Sequence, residues 1–218
     1  MLSLSEENHL RSIFHLSLNS NDVVSTNSIA NNLKTKPSSV TEMLKKLNQK
    51  FFIVYKKYHG AQLTELGRKK ALKIIRKHRL WEVFLVKKLN FKWDEVHEIA
   101  EQLEHIQSEK LTKELDKFLN FPTHDPHGDP IPNPAGFIKS TPKLKLSDLR
   151  IGEKGKFVGV KDSSSAFLNY LDKRKISLGC NINVLHKEEF DQSLHIGLDD
   201  TNLTISIKSA NNLYVTKF

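Results

Sequence analysis

The chain has 218 residues, of which 38% are hydrophobic and 27% charged, the make-up of a folded protein of one to three compact units and not of a disordered or fibrous chain. No run approaches the ~20 apolar residues of a membrane helix, and the single cysteine, Cys180, excludes a disulfide framework and any multi-cysteine zinc or iron–sulfur site. The net charge of +9 is uneven: residues 1–75 carry 12 Lys and Arg against 5 Asp and Glu, 76–140 carry 10 against 11, and 141–218 carry 12 against 9.

The basic N-terminal third has the footprint of a polyanion-binding module joined to nearly neutral neighbours. The opening MLSLSEENHLRSIF places acidic and polar residues where a signal peptide would have basic and then apolar ones. A cytoplasmic location is the expectation.

From Ser3 to Leu18 the apolar residues Leu10, Ile13, Phe14 and Leu18 recur at helical spacing, and Ser3-x-x-Glu6 is a capping-box start. After the polar break NSNDVVSTN come two short helical patterns, Ser28–Leu33 and Pro37–Gln49. Pro37 suits a first helical turn, where its missing N–H costs nothing. In the second pattern Val40, Met43, Leu44 and Leu47 form one stripe, and Ser38, Ser39, Thr41, Lys45 and Lys46 lie off it. Two β-like pieces, Phe52–Tyr55 and Ala61–Leu63, flank a KKYHG turn. This order is that of a winged helix-turn-helix. A short helix with small hydroxyl side chains enters a major groove, while Lys56 and Lys57 reach phosphates beside it.

Thr64 caps a long helical pattern to about Leu89, followed by helices from about Asp94 to His105 and from Ser108 to Leu119. Six of the seven prolines fall in residues 122–142, too dense for a helix or central strand, so this is a linker or lapping segment. Beyond it, β-branched or alternating runs at Gly155–Val160, Asn181–Leu185, Leu203–Ile207 and Leu213–Thr216, with a helix at Ser164–Leu171, read as a small β-barrel. Cys180 reads as a small buried apolar residue there.

The histidines pair with carboxylates at telling intervals. His78 and Glu82 are four apart on the long helix, and His97, Glu101, Glu104 and His105 share one face of the next. Such pairs are also ordinary solvated helix contacts. Mixed nitrogen and oxygen ligands without thiolate suit Mn²⁺, Fe²⁺ or Zn²⁺, and the carboxylate-rich balance leans to harder ions such as Mn²⁺.

The segments HRLWE, EVHEIAEQLEH and DPHGDPIP resemble the metal-binding middle of the diphtheria-toxin-repressor family. SIANNLKTKPSSVTEMLKKLNQKFFI and LTELGRKKA are similar to its winged helix-turn-helix, and FLNYLDKRKISLG to its third, SH3-like (FeoA-like) domain. The resemblance implies an α+β multidomain protein. Its parts would be a DNA-binding domain over 1–74, a helical metal-binding and dimerisation domain over 75–140, and the SH3-like barrel over 143–218.

The resemblance also implies a ligand set. Glu101, Glu104 and His105 fall on the primary, activating site, where iron-type members have cysteine in place of Glu101 and manganese-type members glutamate. The family adds a ligand from the first helix, Asp or Met. Here Asn8 stands in that place, so either coordination is weakened or Glu7 or His9 takes over. His78, Glu82 and His97 match the ancillary site. Three-domain manganese-type members extend it with a Cys-Pro-His run and an aspartate, matched here by Asp125-Pro126-His127 and Asp162. The Glu and Gln that iron-type members use in the third domain are matched by Ser163 and Ala166, which do not ligate well.

The implied function is a non-enzymatic transcriptional repressor. It would bind double-stranded operator DNA as a homodimer, be activated by Mn²⁺ or Fe²⁺, and admit Zn²⁺, Co²⁺ or Cd²⁺ in vitro. No membrane and no small organic substrate is expected as a partner. Lys36, Pro37, Ser38, Ser39, Thr41, Lys45 and Lys46 would lie at the DNA, with Lys56 and Lys57 on the wing. Two other readings are a winged-helix regulator that senses a ligand other than metal, and a metal-dependent hydrolase. Against the second, no HExxH or nucleophile motif is present.

Overall fold

The computed structural model describes residues 2–18, 22–139, 141–199 and 201–218. The start of the polar break (19–21) and residue 140 of the proline-rich stretch lie outside them. The chain divides into two compact units. One comprises Met1–Trp81, Ala100–Phe118 and Ile131–Ile138, the other Glu82–Ile99, Leu119–Pro130 and Lys139–Phe218.

The first unit opens with α1 (Leu4–Ser17), α2 (Thr26–Asn32), α3 (Pro37–Gln49), and the antiparallel hairpin β1 (Ile53–Lys56) and β2 (Gly60–Leu63). The expected capping box is present: the Glu6 N–H donates to Ser3 Oγ, and the Ser3 N–H to Glu6 Oε2. Ser25 caps α2 by accepting the Ser28 N–H, so that helix starts two residues before the expected Ser28. Pro37 opens α3 as expected.

Leu10, Ile13 and Phe14 of α1, Ile29 of α2, and Val40, Leu44 and Leu47 of α3 converge on Ile53, Ala61, Ala71, Leu72 and Ile75 in one core. At the hairpin turn Gly60 has φ +101°, and a Cβ there would lie 2.6 Å from the Val24 carbonyl oxygen. Val24 and Ala61 exchange both backbone hydrogen bonds. A residue other than glycine would therefore pry the wing from the loop before α2.

The helix α4 (Glu65–Leu89) is followed by α5 (Val96–Leu103) and α6 (Glu109–Phe118). The α5 helix is shorter than expected: it stops at Leu103, and Glu104 and His105 form the turn beyond it. Within the first unit Arg76 of α4 donates to Asp116 of α6 and to the Pro132 carbonyl, each at 2.5 Å. This ties α4, α6 and the proline-rich segment together.

The second unit is built on an antiparallel sheet in the order β3-β8-β4-β5-β6-β7. Its strands are β3 (Leu144–Lys145), β4 (Lys154–Val160), β5 (Asn181–Lys187), β6 (Leu194–Leu198), β7 (Thr201–Ile205) and β8 (Leu213–Lys217). The α7 helix (Ser165–Lys173) follows β4, and the short α8 (Ile207–Ala210) precedes β8. Phe157, Ile182, Val184, Leu194, Ile196, Leu213 and Val215 alternate inward to make the core with Leu168 and Leu171 of α7.

The expected α+β architecture is thus present. Two strands lie outside the expected runs: the two-residue β3, and β6, whose LHIGL carries Leu194, Ile196 and Leu198 at period two but is short, contains Gly197 and sits among polar residues. Cys180 is buried in this core, and burial pushes its thiol pKa up. Cys180 is expected to react with a disulfide reagent only over hours in the native protein and at once after denaturation. Fast native labelling would show that this core opens readily.

Candidate metal centre

In the first unit the carboxylates and imidazoles of residues 101–105 meet α1. Glu104 is fully buried. Its Oε2 accepts from Arg11 Nη1 at 2.7 Å and lies 2.6 Å from His78 Nδ1. Arg11 also donates to Glu101 Oε1. His105 Nδ1 is 2.6 Å from Glu7 Oε2, while Glu7 Oε1 accepts from Gln107 Nε2 at 2.7 Å.

Among the described residues of this unit three buried side-chain atoms, Asn8 Oδ1, His9 Nε2 and Glu104 Oε1, have no hydrogen-bond partner. Orphaned buried oxygens are rare because each carries a desolvation penalty. Oxygen donors of this kind, beside an imidazole and a second carboxylate, are what a hard divalent cation satisfies. The residues present therefore fit a metal. Glu101, Glu104 and His105 would hold it, with Asn8 from α1. Glu7 reaches His105 directly, whereas His9 turns its Nδ1 to the Ser5 carbonyl of its own helix and is kept from protonating chiefly by burial.

The residues expected on one stripe of α5 meet two sets of partners. His97 stands 3.5 Å from Glu82 in the second unit, while Glu101, Glu104 and His105 belong to the first. Glu101 lies within α5, four residues from His97, and the Glu104 N–H still donates to the Ala100 carbonyl, while His105 lies in the turn past the helix end.

In the second unit Glu82, Asp125 and His127 are all buried, and each brings a ligand atom within 4.8 Å of the others. The DPHGD loop is shaped for this. Asp125 Oδ1 accepts the N–H groups of His127 and Asp129, and the Val160 N–H donates to the His127 carbonyl. His127 Nε2 lies 2.8 Å from the Trp93 carbonyl oxygen. Burial alone would hold the imidazole pKa down, but Glu82, Asp125 and the Trp93 carbonyl outweigh it and raise it to about 9. A cation entering this cluster therefore displaces a proton.

Asp162 is placed differently: its Oδ1 accepts the Ser164 N–H at the start of α7, and it is not in the cluster with Glu82. Gly128 holds the loop against β4. It has φ +84°, and a Cβ would fall 1.9 Å from the Val158 carbonyl oxygen. Gly128→Ala is expected to cost about 1–3 kcal/mol through backbone strain and to weaken metal binding at Glu82, Asp125 and His127. Thermal melting and Mn²⁺ stoichiometry check both effects, and an unchanged melt would mean that the loop does not need this close approach.

On α3, Lys36, Pro37, Ser38, Ser39, Lys45 and Lys46 are exposed, as are Lys56 and Lys57 on the hairpin. Thr41 is half-buried and its hydroxyl donates to the Pro37 carbonyl. Lys45 pairs with Glu42 on its own helix. Tyr58 at the hairpin tip is 91% exposed with Lys57 above its ring, an aromatic the sequence reading passed over. Arg11, Gln107 and Trp93 carry no local mark in the sequence, because their partners Glu101, Glu7 and His127 lie 90, 100 and 34 positions away.

Comparison with known proteins places the chain among metal-dependent repressors. Residues 1–61 match the model of the iron-dependent repressor N-terminal DNA-binding domain, 64–133 that of the iron-dependent repressor metal-binding and dimerisation domain, and 144–217 the FeoA domain. A solved manganese-dependent transcriptional repressor in complex with manganese superposes with a TM-score of 0.87 at 32% identity, over 98% of this chain and 100% of that one. The chain belongs to the iron-dependent, diphtheria-toxin-type repressor family. Among curated relatives, an uncharacterised helix-turn-helix regulator of Methanocaldococcus jannaschii is 36% identical over 118 residues, which is 54% of this chain and 94% of its own length. The iron-dependent repressor IdeR of Mycobacterium bovis is 48% identical over 71 residues, 33% of this chain and 31% of that protein. The chain thus aligns with less than a third of IdeR's length. No helix is long and apolar enough to cross a membrane among the described residues.

Proposed function

We propose that the protein is a metal-activated transcriptional repressor that binds operator DNA as a homodimer in the cytoplasm, has no enzymatic activity, and controls metal-ion homeostasis genes. One observation carries the reading. The metal-type donors Glu101, Glu104 and His105 are hydrogen-bonded to Glu7 and Arg11 of α1, and the other face of α1 packs Leu10, Ile13 and Phe14 into the core shared with α3.

A divalent ion held by Glu101, Glu104 and His105 would supply the positive charge that Arg11 brings to these carboxylates here. Asn8 would join the ligand set beside Glu7, which already holds His105, so α1 would take one position and carry α3 with it. In a dimer this sets the spacing of two recognition helices for successive major grooves, about 34 Å apart. A preference for one arrangement over the other is enough to shift the population. Glu101 in place of a thiolate, and Asp125 beside His127, favour Mn²⁺ over Fe²⁺. The reading divides the chain into a DNA-binding domain (1–74), a metal-binding and dimerisation domain (75–140) and the SH3-like domain (143–218). His78, Glu82, His97, Asp125 and His127 are proposed as the ancillary ligands, with Asp162 joining only after a rearrangement.

The test is binding to promoter fragments of metal-transporter genes, titrated with Mn²⁺, Fe²⁺ and chelator. Binding should require metal. Equal binding by chelated protein would favour the regulator that senses another ligand.

A further inference from the structure

Arg11 is a cation already placed among the metal donors. Its guanidinium spans Glu101 Oε1 and Glu104 Oε2, and Nη1 is also 3.3 Å from His78 Nδ1. Its side chain is only 12% exposed and that of Glu104 not at all. Guanidinium stays charged at every accessible pH, and its planar fork matches two carboxylate oxygens. The neighbouring Lys77 is a different case: it interacts with Glu7 and Glu104 only through space, and its ammonium donates to the Ile106 carbonyl at 3.4 Å.

We propose that Arg11 is an internal competitor for the activating metal. In the metal-free protein it neutralises Glu101 and Glu104. Metal enters only as the guanidinium leaves them, so Arg11 sets the concentration at which the sensor responds. The inference rests on the proposed metal-switch reading and deepens it.

The physical argument is one of linked equilibria. A contact made only in the metal-free state lowers apparent metal affinity by the factor that it favours that state. Without the competing guanidinium, Glu101, Glu104 and the orphaned oxygens of Glu104 and Asn8 are left short of a cation, and both metal-free stability and metal affinity respond. The two effects have opposite signs. A residue that merely supports the fold would lower both together.

The experiment is Mn²⁺ titration of the full-length protein, followed by the EPR signal of free Mn²⁺, with thermal melting in chelator and in excess Mn²⁺. The relevant class of sites is the one lost in Glu104→Ala. Arg11→Met is expected to bind Mn²⁺ at those sites at least tenfold more tightly, to melt lower than wild type in chelator, and to recover most of that loss in Mn²⁺. Lys77→Met, which removes a nearby charge but no contact with Glu101 or Glu104, should tighten binding much less.

Equal tightening by Lys77→Met would overturn the proposal in favour of general electrostatics, as would unchanged or weaker binding by folded Arg11→Met. Should Arg11→Met not fold, Arg11→Lys decides. It keeps the charge but loses the fork, and it must bind Mn²⁺ measurably more tightly than wild type for the proposal to stand. If Glu104→Ala loses no class of sites, the metal-site reading fails and this inference with it. If it does, but the Arg11 variants are no tighter, the inference alone fails.

Discussion

Replacing Glu104 with alanine is expected to abolish metal-dependent DNA binding while leaving a folded protein. Glu104 is fully buried and sits where Arg11, His78 and His105 converge. The neighbouring carboxylates are already committed: Glu101 is itself a proposed donor and pairs with Arg11, and Glu7 is engaged with His105 and Gln107. Loss of a residue that only supports a metal ligand typically costs 10–100-fold in affinity, so loss of a ligand should cost at least about 100-fold. The operator-binding curve should then become insensitive to Mn²⁺ up to concentrations far above those that saturate wild type. Glu104→Gln separates charge from shape: it keeps the hydrogen-bonding volume but removes the negative charge, and should lose nearly as much. A Glu104→Ala protein that still responds to Mn²⁺ would move the activating site to Glu82, Asp125 and His127.

The largest expected effect on stability is at Asp116. Its carboxylate and the Arg76 guanidinium, each only 10% exposed, meet at 2.5 Å, and Arg76 also donates to the Pro132 carbonyl. Truncating one partner of a buried pair strands the other charge in a low-dielectric interior. Asp116→Ala should therefore destabilise by about 3–5 kcal/mol, a large share of the roughly 5–15 kcal/mol that holds a typical domain together. Denaturant unfolding of the metal-free protein measures it. The double variant Arg76→Met, Asp116→Leu should recover much of the loss, because an apolar pair of similar volume leaves no unpaired charge. A loss below about 1 kcal/mol in Asp116→Ala would show that Arg76 reaches solvent or another acceptor.

Much of this protein was legible locally. The helix-turn-helix rests on signals that act within a few residues: the Ser3 and Glu6 capping box, Pro37 opening α3, and the Val40, Leu44, Leu47 stripe. The DPHGD loop is local only in part: Asp125 accepts N–H groups of the loop itself, whereas Gly128 is needed for its approach to the Val158 carbonyl of β4. Even the candidate ligands on α4 and α5 were visible as His and Glu at helical intervals.

Other features needed the folded chain. The capping, period and turn chemistry of single elements are short-range, so the amino-acid sequence by itself determined the winged helix-turn-helix, the identity of the metal-type donors and the β character of the last 75 or so residues. Which donors meet is a long-range matter. Glu101 and Glu104 meet Arg11 of α1 and His105 meets Glu7, while His97 of α5 stands near Glu82. The contact of Arg11 with Glu101 and Glu104 joins residues 90 and 93 positions apart. No periodicity carries that information. It arises when the α1 core face and the turn after α5 are packed together, and burial then forces every charge there to find a partner.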